Sequence, residues 1–387
     1  MKKKLIVLFI IVAVFFLGTY PRTSGLALGI RGPRPRMDIR VVLAVSKSVR
    51  VEINRSYEII DPVRNKFISR GRSFYDKVTT ASPALCFGNN RAVKYPQRLY
   101  FRIDDKQKFL LNGNSYKGEL ELVAKGNLVY AINHIDIEEY LKSVVTSEVS
   151  DSWRQEALKA QAVASRSFAT YHVMANQNNF FDVGIDSQAY NGTRSETPKS
   201  AWAVEVTRGQ VLYFGGKLMP AYFHAVCGGA TEYAPAVWSS TLSFPKIVRC
   251  DYCKSSEYYL WSHILSKKEI VREFNRNGGY NWRSITKLDY GDSAPVYPRL
   301  RSVIVFADGR ATEIPINKFR KILGYNKLRS SMFTIHSAGK YFIFVGKGWG
   351  HGVGMCQYGA KKLAESGMKY QDILKYYYPG TLIKRMY

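Results

Sequence analysis

The chain has 387 residues, with 57 Lys+Arg against 30 Asp+Glu for a formal net charge of +27, and is 46% apolar and 14% aromatic. That much apolar material, with only 14 prolines beside 30 glycines, excludes a disordered or collagen-like chain, and at roughly 100–200 residues per domain the length suggests two packed units or one large one. The positive excess implies an anionic environment (nucleic acid, acidic lipid or wall polymer) without specifying any chemistry.

In chain order, Met1-Lys2-Lys3-Lys4 precedes an uncharged apolar run from Leu5 to Leu17, which gives way to Gly18-Thr19-Tyr20-Pro21-Arg22. This is the layout of an export signal, and the run is short for a membrane span of ~20 residues. Residues 1–30 are therefore expected to be a signal peptide or a membrane anchor, with Leu26-Ala27-Leu28-Gly29 as a weak cleavage candidate. Either way the rest of the chain is expected on the periplasmic or cell-wall side of the cytoplasmic membrane. That location excludes intracellular DNA and RNA as partners and turns the basic surface toward lipid headgroups or wall polymers. A basic linker at 31–37 follows.

Residues 38–132 read as mainly β. The runs 39–45, 48–53 and 119–123 are rich in β-branched residues or alternate in polarity, and turn residues such as Asn112-Gly113-Asn114 separate such runs. The pattern changes at Asp136, where Ile137, Tyr140, Leu141, Val144 and Val145 take helical spacing as far as Thr146-Ser147. A second helix is expected after Asp151-Ser152, with Ser152 and Gln155 at capping-box spacing, and runs through a series of alanines to about Asn176. Residues 180–350 alternate short β runs, such as 209–214 and 303–306, with helical stretches such as 267–275. Two helices close the chain, over 355–366 with Gly367 as a stop and over 370–378 before Pro379-Gly380. The mixture predicts an α+β fold: a β-rich N-terminal region and a catalytic core over 133–387, with two packed helices around 136–176.

Five Cys and six His are present, and four of these eleven form His224-x2-Cys227 and Cys250-x2-Cys253. Two close pairs separated by a connecting stretch can supply the tetrahedral nitrogen and sulfur set of a structural zinc ion, leaving no open coordination position. In an exported protein the competing arrangement is a Cys250–Cys253 disulfide, with Cys227 free or joined to Cys86. Cys356 follows His351 by five residues in a glycine-rich stretch, Gly348 to Gly354. It reads either as a small residue packed at a helix start or as a thiolate with a histidine base, as in a wall peptidase.

Glu148 lies in Ser147-Glu148-Val149-Ser150, in the connection between the two packed helices. A carboxylate there can be partly desolvated, which raises its pKa and lets it hold a proton near neutrality. The surrounding blocks closely resemble the stage II sporulation protein D family of lytic transglycosylases. They are Tyr140 to Glu148, Ala157 to Arg166, Gln188 to Gly192, Thr207 to Val211, Cys227 to Glu232 with Val237-Trp238, Gly346 to Met355 with Gln357 to Ala360, and Tyr377 to Thr381, all in family order. The resemblance implies cleavage of peptidoglycan glycan strands, particularly strands stripped of stem peptides, with Glu148 as the single catalytic glutamate. It implies zinc in some members, with His and Cys ligands where this chain has His224 and Cys227. It also implies a second possibility, a non-catalytic enhancer of a cell-wall amidase. The family usually has Ser where this chain has Cys356, which argues against a required thiol.

On this reading protonated Glu148 serves the bond between N-acetylmuramic acid and N-acetylglucosamine as acid and then as base. An ordinary glycoside hydrolase needs two carboxylates. Here the muramic C6 hydroxyl attacks its own anomeric carbon, so intramolecular attack makes a second acid dispensable. Gln161 and Arg166 are expected to orient the carboxylate or a sugar acetamide, and Gln188 and Tyr190 to share one face with Tyr190 stacked on a ring. The Trp349 to Gln357 loop, with His351, is expected to close the cleft.

Overall fold

The computed structural model describes residues 36–88, 93–104, 107–185, 187–238, 246–291 and 299–387. The expected signal or anchor segment lies outside the described residues. Among the described residues no helix is long and apolar enough to cross a membrane.

Eleven strands between Asp38 and Asp136 build two antiparallel sheets. The six-stranded sheet runs in the order Asp38–Ser46, Leu128–Asp136, Glu119–Lys125, Arg98–Ile103, Tyr57–Asp61 and Lys66–Gly71. The five-stranded sheet runs Ala84–Phe87, Phe74–Ala81, Ser48–Ile53, Lys108–Leu111 and Asn114–Lys117. Alternation explains the pairing: Val49, Val51 and Ile53 from one sheet and Leu99, Phe101, Ile103, Leu120 and Leu122 from the other are buried in one shared core. The expected turn at Asn112-Gly113 joins two of these strands, both residues taking positive φ (50° and 83°) as a two-residue hairpin requires.

The strand Leu128–Asp136 runs directly into helix α1 (Ile137–Glu148), whose N-cap Asp136 accepts from the N–H groups of Glu138 and Glu139. Helix α2 (Gln155–Ala175) is buried for most of its length, and its alanines let α1, α3 (Pro198–Val206), α7 (Gln357–Glu365) and α8 (Tyr370–Tyr377) surround it. The expected Ser152–Gln155 capping box does not form. The N-cap is Arg154 without a side-chain bond, and Ser152 Oγ instead meets Ser150 Oγ at 2.8 Å.

Between α3 and α7 lie the short α4 (Ala234–Val237) and a third apolar cluster. In that cluster the sheets Leu260–Ser266, Tyr341–Lys347, Phe333–Ala338 and Ile285–Tyr290, Ser302–Ala307, Arg310–Pro315 pack with α5 (Lys267–Gly278) and α6 (Ile316–Leu323). The fold is α+β with a β-rich N-terminal part.

Candidate functional site

Glu148 is the last residue of α1 rather than a loop residue, so its carboxyl leaves a rigid helix end. It stands in a pocket of about 360 Å³ lined by Thr146, Ser147, Val149, Ser150 and Trp153 on one side and by Ala225, Tyr258, Trp349, Gln357 and Tyr358 on the other. Among the described residues Glu148 is the pocket's only carboxylate. Burial pushes its pKa above the ordinary carboxylate range, against the opposing pull of hydrogen bonds from the Ala189 N–H (2.8 Å to Oε1) and the Gln357 amide (3.5 Å to Oε2). The aromatic side chains interlock edge to face, Trp153 with Tyr358 at 5.3 Å, Tyr358 with Tyr258 at 5.4 Å and Tyr258 with Trp349 at 5.1 Å. Lys361 lies over Trp153 and Tyr358, and Arg329 over Trp349. An aromatic wall beside one buried carboxyl of raised pKa suits a carbohydrate, whose C–H faces stack on rings while its oxygens take up protons.

The remaining expected site residues divide. Gln357 reaches Glu148, and Gln161 supports it from behind, accepting from Gln357 Nε2 at 3.4 Å and donating to Ser165 Oγ at 3.0 Å. Arg166 is a correction: it is fully buried away from the pocket, paired with Glu138 at 2.7 Å and donating to Val204 O, Thr207 Oγ1 and Gln210 O. All its donors are committed to the core, so none is left for sugar. Gln188 is likewise buried between Tyr140 Oη and Ser165 O, and the half-buried Tyr190 packs against Tyr116 and Tyr140 with its hydroxyl on Asn133; neither lines the Glu148 pocket.

His351 also turns inward. Its Nδ1 accepts from Val353 N–H at 3.0 Å, its ring lies against Trp238, and burial pushes its pKa down to about 3. It is thus neutral and engaged elsewhere, and the Cys356/His351 pair is not assembled. Neither Trp153 nor Tyr258 is marked as a site residue by the motifs and spacing of the sequence. An exposed-looking tryptophan at a helix–helix junction was the available signal for the first, and nothing local marked the second.

Cys356 belongs instead to a second centre. The Sγ atoms of Cys227, Cys250, Cys253 and Cys356 all lie within 4.8 Å of one another, all four residues are buried and none is in a disulfide. This corrects the expected ligand set: Cys356 takes the position assigned to His224, and Cys86 lies elsewhere, in the N-terminal sheet. His224 is carried off because its two-residue strand pairs with Met355–Cys356 while its ring turns toward Val353 O, which its Nδ1 meets at 3.1 Å.

The donor set fits a metal ion. A tetrahedron with Zn–S arms of about 2.3 Å separates its sulfurs by about 3.8 Å, comparable to the spacing here. The surroundings suit thiolates. Cys227 N–H donates to Cys356 Sγ (3.3 Å) and Gly229 N–H to Cys227 Sγ (3.5 Å), and Tyr377 Oη lies 3.1 Å from Cys250 Sγ. The positive φ of Gly228 and Gly229 (80° and 122°) makes that amide turn possible. Beside it Arg299, fully buried, donates to the carbonyls of Cys227 and Ala230.

The fold and pocket place a desolvated acid at the end of α1 and, in the same buried core, four converging thiols. A family profile described as stage II sporulation protein matches residues 125–214, which include Glu148, and one described as a domain of unknown function (DUF8618) matches residues 242–354. The chain is 32% identical to stage II sporulation protein D of Bacillus subtilis, over 65% of this chain and 76% of that one. It is 35% identical to an uncharacterised protein of Brachyspira hyodysenteriae, over 76% of this chain and 78% of that one. An amidase enhancer of Bacillus subtilis is 30% identical over 63% of this chain, which spans 40% of that longer protein. The chain belongs to the stage II sporulation protein D family.

Proposed function

We propose that this protein is an exported lytic transglycosylase that cuts peptidoglycan glycan strands, preferably peptide-stripped ones, with Glu148 as acid and then base. The observation that carries this reading is a lone carboxyl, pKa raised by burial, in an aromatic-lined pocket. Glu148 Oε1 is held by the Ala189 N–H at 2.8 Å and Oε2 only by the longer 3.5 Å contact with the Gln357 amide, so we assign the transferable proton to Oε2. Oε2–H protonates the glycosidic oxygen as the bond from the muramic anomeric carbon breaks. The resulting carboxylate takes the proton of the muramic C6 hydroxyl, whose oxygen bonds to that carbon and closes a 1,6-anhydro ring. The acid is regenerated without water. Zinc is the ion we assign to Cys227, Cys250, Cys253 and Cys356, as a closed structural site. The basic charge and the apolar N-terminal run support action at the wall side of the membrane, attached or released.

Glu148→Gln is expected to keep the fold and to abolish release of 1,6-anhydro products from denuded glycan, a loss of at least about 100-fold as for removal of a general acid. Mass spectrometry of the digests reads this out, and near-normal turnover by the variant would sink the mechanism. The likeness to an amidase enhancer supports a second reading, glycan binding that stimulates a separate cell-wall amidase. In that case the unmodified protein yields no new chain ends while an added amidase accelerates.

A further inference from the structure

We infer that the four-cysteine centre organises the aromatic wall facing Glu148, acting chiefly through the Cys356-Gln357 step. The inference rests on the reading of the pocket as a glycan site only for what the wall binds. The two walls differ in how they are held. Thr146 to Ser150 and Trp153 extend from α1 and the α1–α2 connection, held by regular helix packing in the apolar cluster that the four cysteines also join. The opposite wall comes from loop segments and the first turn of α7, and each adjoins the centre. Ala225 lies two residues before Cys227, Tyr258 five after Cys253, and Gln357 and Tyr358 directly follow Cys356. Trp349 is tied to the same segment by paired backbone bonds with Val226 (2.8 and 3.0 Å), and Tyr358 N–H reaches Ala225 O at 3.1 Å.

Two-residue strands supply few hydrogen bonds, so a cross-link among these loops decides whether the wall has one shape. Helix α7 shows how closely it is seated: a Cβ at Gly359 would lie 2.8 Å from Cys250 Sγ and overlap Tyr377 Oη. A divalent ion on four thiolates leaves two negative charges in the interior, and the buried Arg299 guanidinium beside Cys227 offsets part of them. The ion's chemistry is closure of a tetrahedral sulfur set. The chain's own part is to carry that closure to Gln357, whose amide touches Glu148.

The test uses the full chain carrying Glu148→Gln, so that no readout depends on turnover. Metal content, amide hydrogen exchange and affinity for peptide-free glycan oligomers are measured before and after removal of metal by a mercurial with a chelator, and the mercurial is then reversed with thiol. About one ion per chain is expected. Stripping should speed exchange at least tenfold in segments 222–233, 246–259 and 346–358, leave 137–175 unchanged and weaken oligomer binding at least tenfold, with zinc restoring both. Cobalt substitution should give a sulfur-to-metal charge-transfer band that falls by about a quarter in Cys356→Ser, one thiolate of four being lost.

If stripping unfolds the chain, metal-loaded Cys356→Ser decides instead, with faster exchange expected at 356–360 alone. Unchanged exchange in the wall segments, a cobalt band unaltered by Cys356→Ser, or no metal in protein purified under reduction would overturn the inference. Exchange that responds as expected in a protein that binds no glycan would sink the functional reading and leave this one standing.

Discussion

The environment of Glu148 is hostile to its charge, and that has a sign that can be measured. A carboxyl whose folded pKa lies above its unfolded value of about 4.3 adds stability below that value and forfeits it as pH rises through the folded pKa. Glu148→Gln should therefore match the parent in Tm near pH 4 and exceed it by ~1–3 °C at pH 7.5, by calorimetry. The same displacement predicts that kcat/KM of the parent holds on the acid side and declines above the raised pKa, where the acid is lost. A variant less stable than the parent at pH 7.5 would mean that the carboxylate is held by charge pairing rather than strained by burial. At this scale the helix–helix junction alone does not single out Glu148, and the family blocks around it do; the shared ligand face expected of Gln188 and Tyr190 is not formed, both side chains being bonded to neighbouring core residues. Period-two spacing names a shared direction, and here that direction is the core.

Among the elements, α7 shows tertiary demand overriding intrinsic preference. Alanine is the better helix former than glycine by about 1 kcal/mol, so Gly359→Ala would stabilise an isolated helix. Here the added methyl meets Tyr377 and Cys250 Sγ, and the substitution should instead cost ~1–3 kcal/mol in chemical denaturation and loosen metal binding in a competition titration. The extents of α1, α2, α7 and α8 were legible from spacing and stop signals to within a few residues. The Ser152–Gln155 cap was not, because Ser150 competes for the same hydroxyl and Trp153 turns into the pocket.

Across the molecule, Arg166 joins parts distant in sequence. Its guanidinium holds Glu138 of α1, the end of α3 and the start of the strand Gln210–Phe214, and Glu138 also accepts from Gly209 N–H and the hydroxyl of the C-terminal Tyr387. Burial alone would raise the Glu138 carboxyl, but the Arg166 charge and these bonds more than offset it and hold it below the usual range. Arg166→Ala strands a buried carboxylate and should cost ~3–5 kcal/mol in urea denaturation, with KM of the remaining folded enzyme unchanged. A raised KM at undiminished stability would return Arg166 to the sugar site.

Local order in the chain was enough to determine the α+β character, the β-rich start, the helix pair and the presence of a cysteine-rich centre, because periodicity and close spacing act over a few residues. Which side chains meet across long separations was decided only by folding. Cys356 stands 103 residues beyond Cys253 in number and His224 only 3 before Cys227, yet the distant thiol joins the cluster and the near imidazole is turned away. The pocket likewise draws Trp153, Tyr258 and Trp349 from separate segments. Sequence neighbours share a backbone direction, whereas a site needs convergent side chains, and convergence is set by how helices and loops pack.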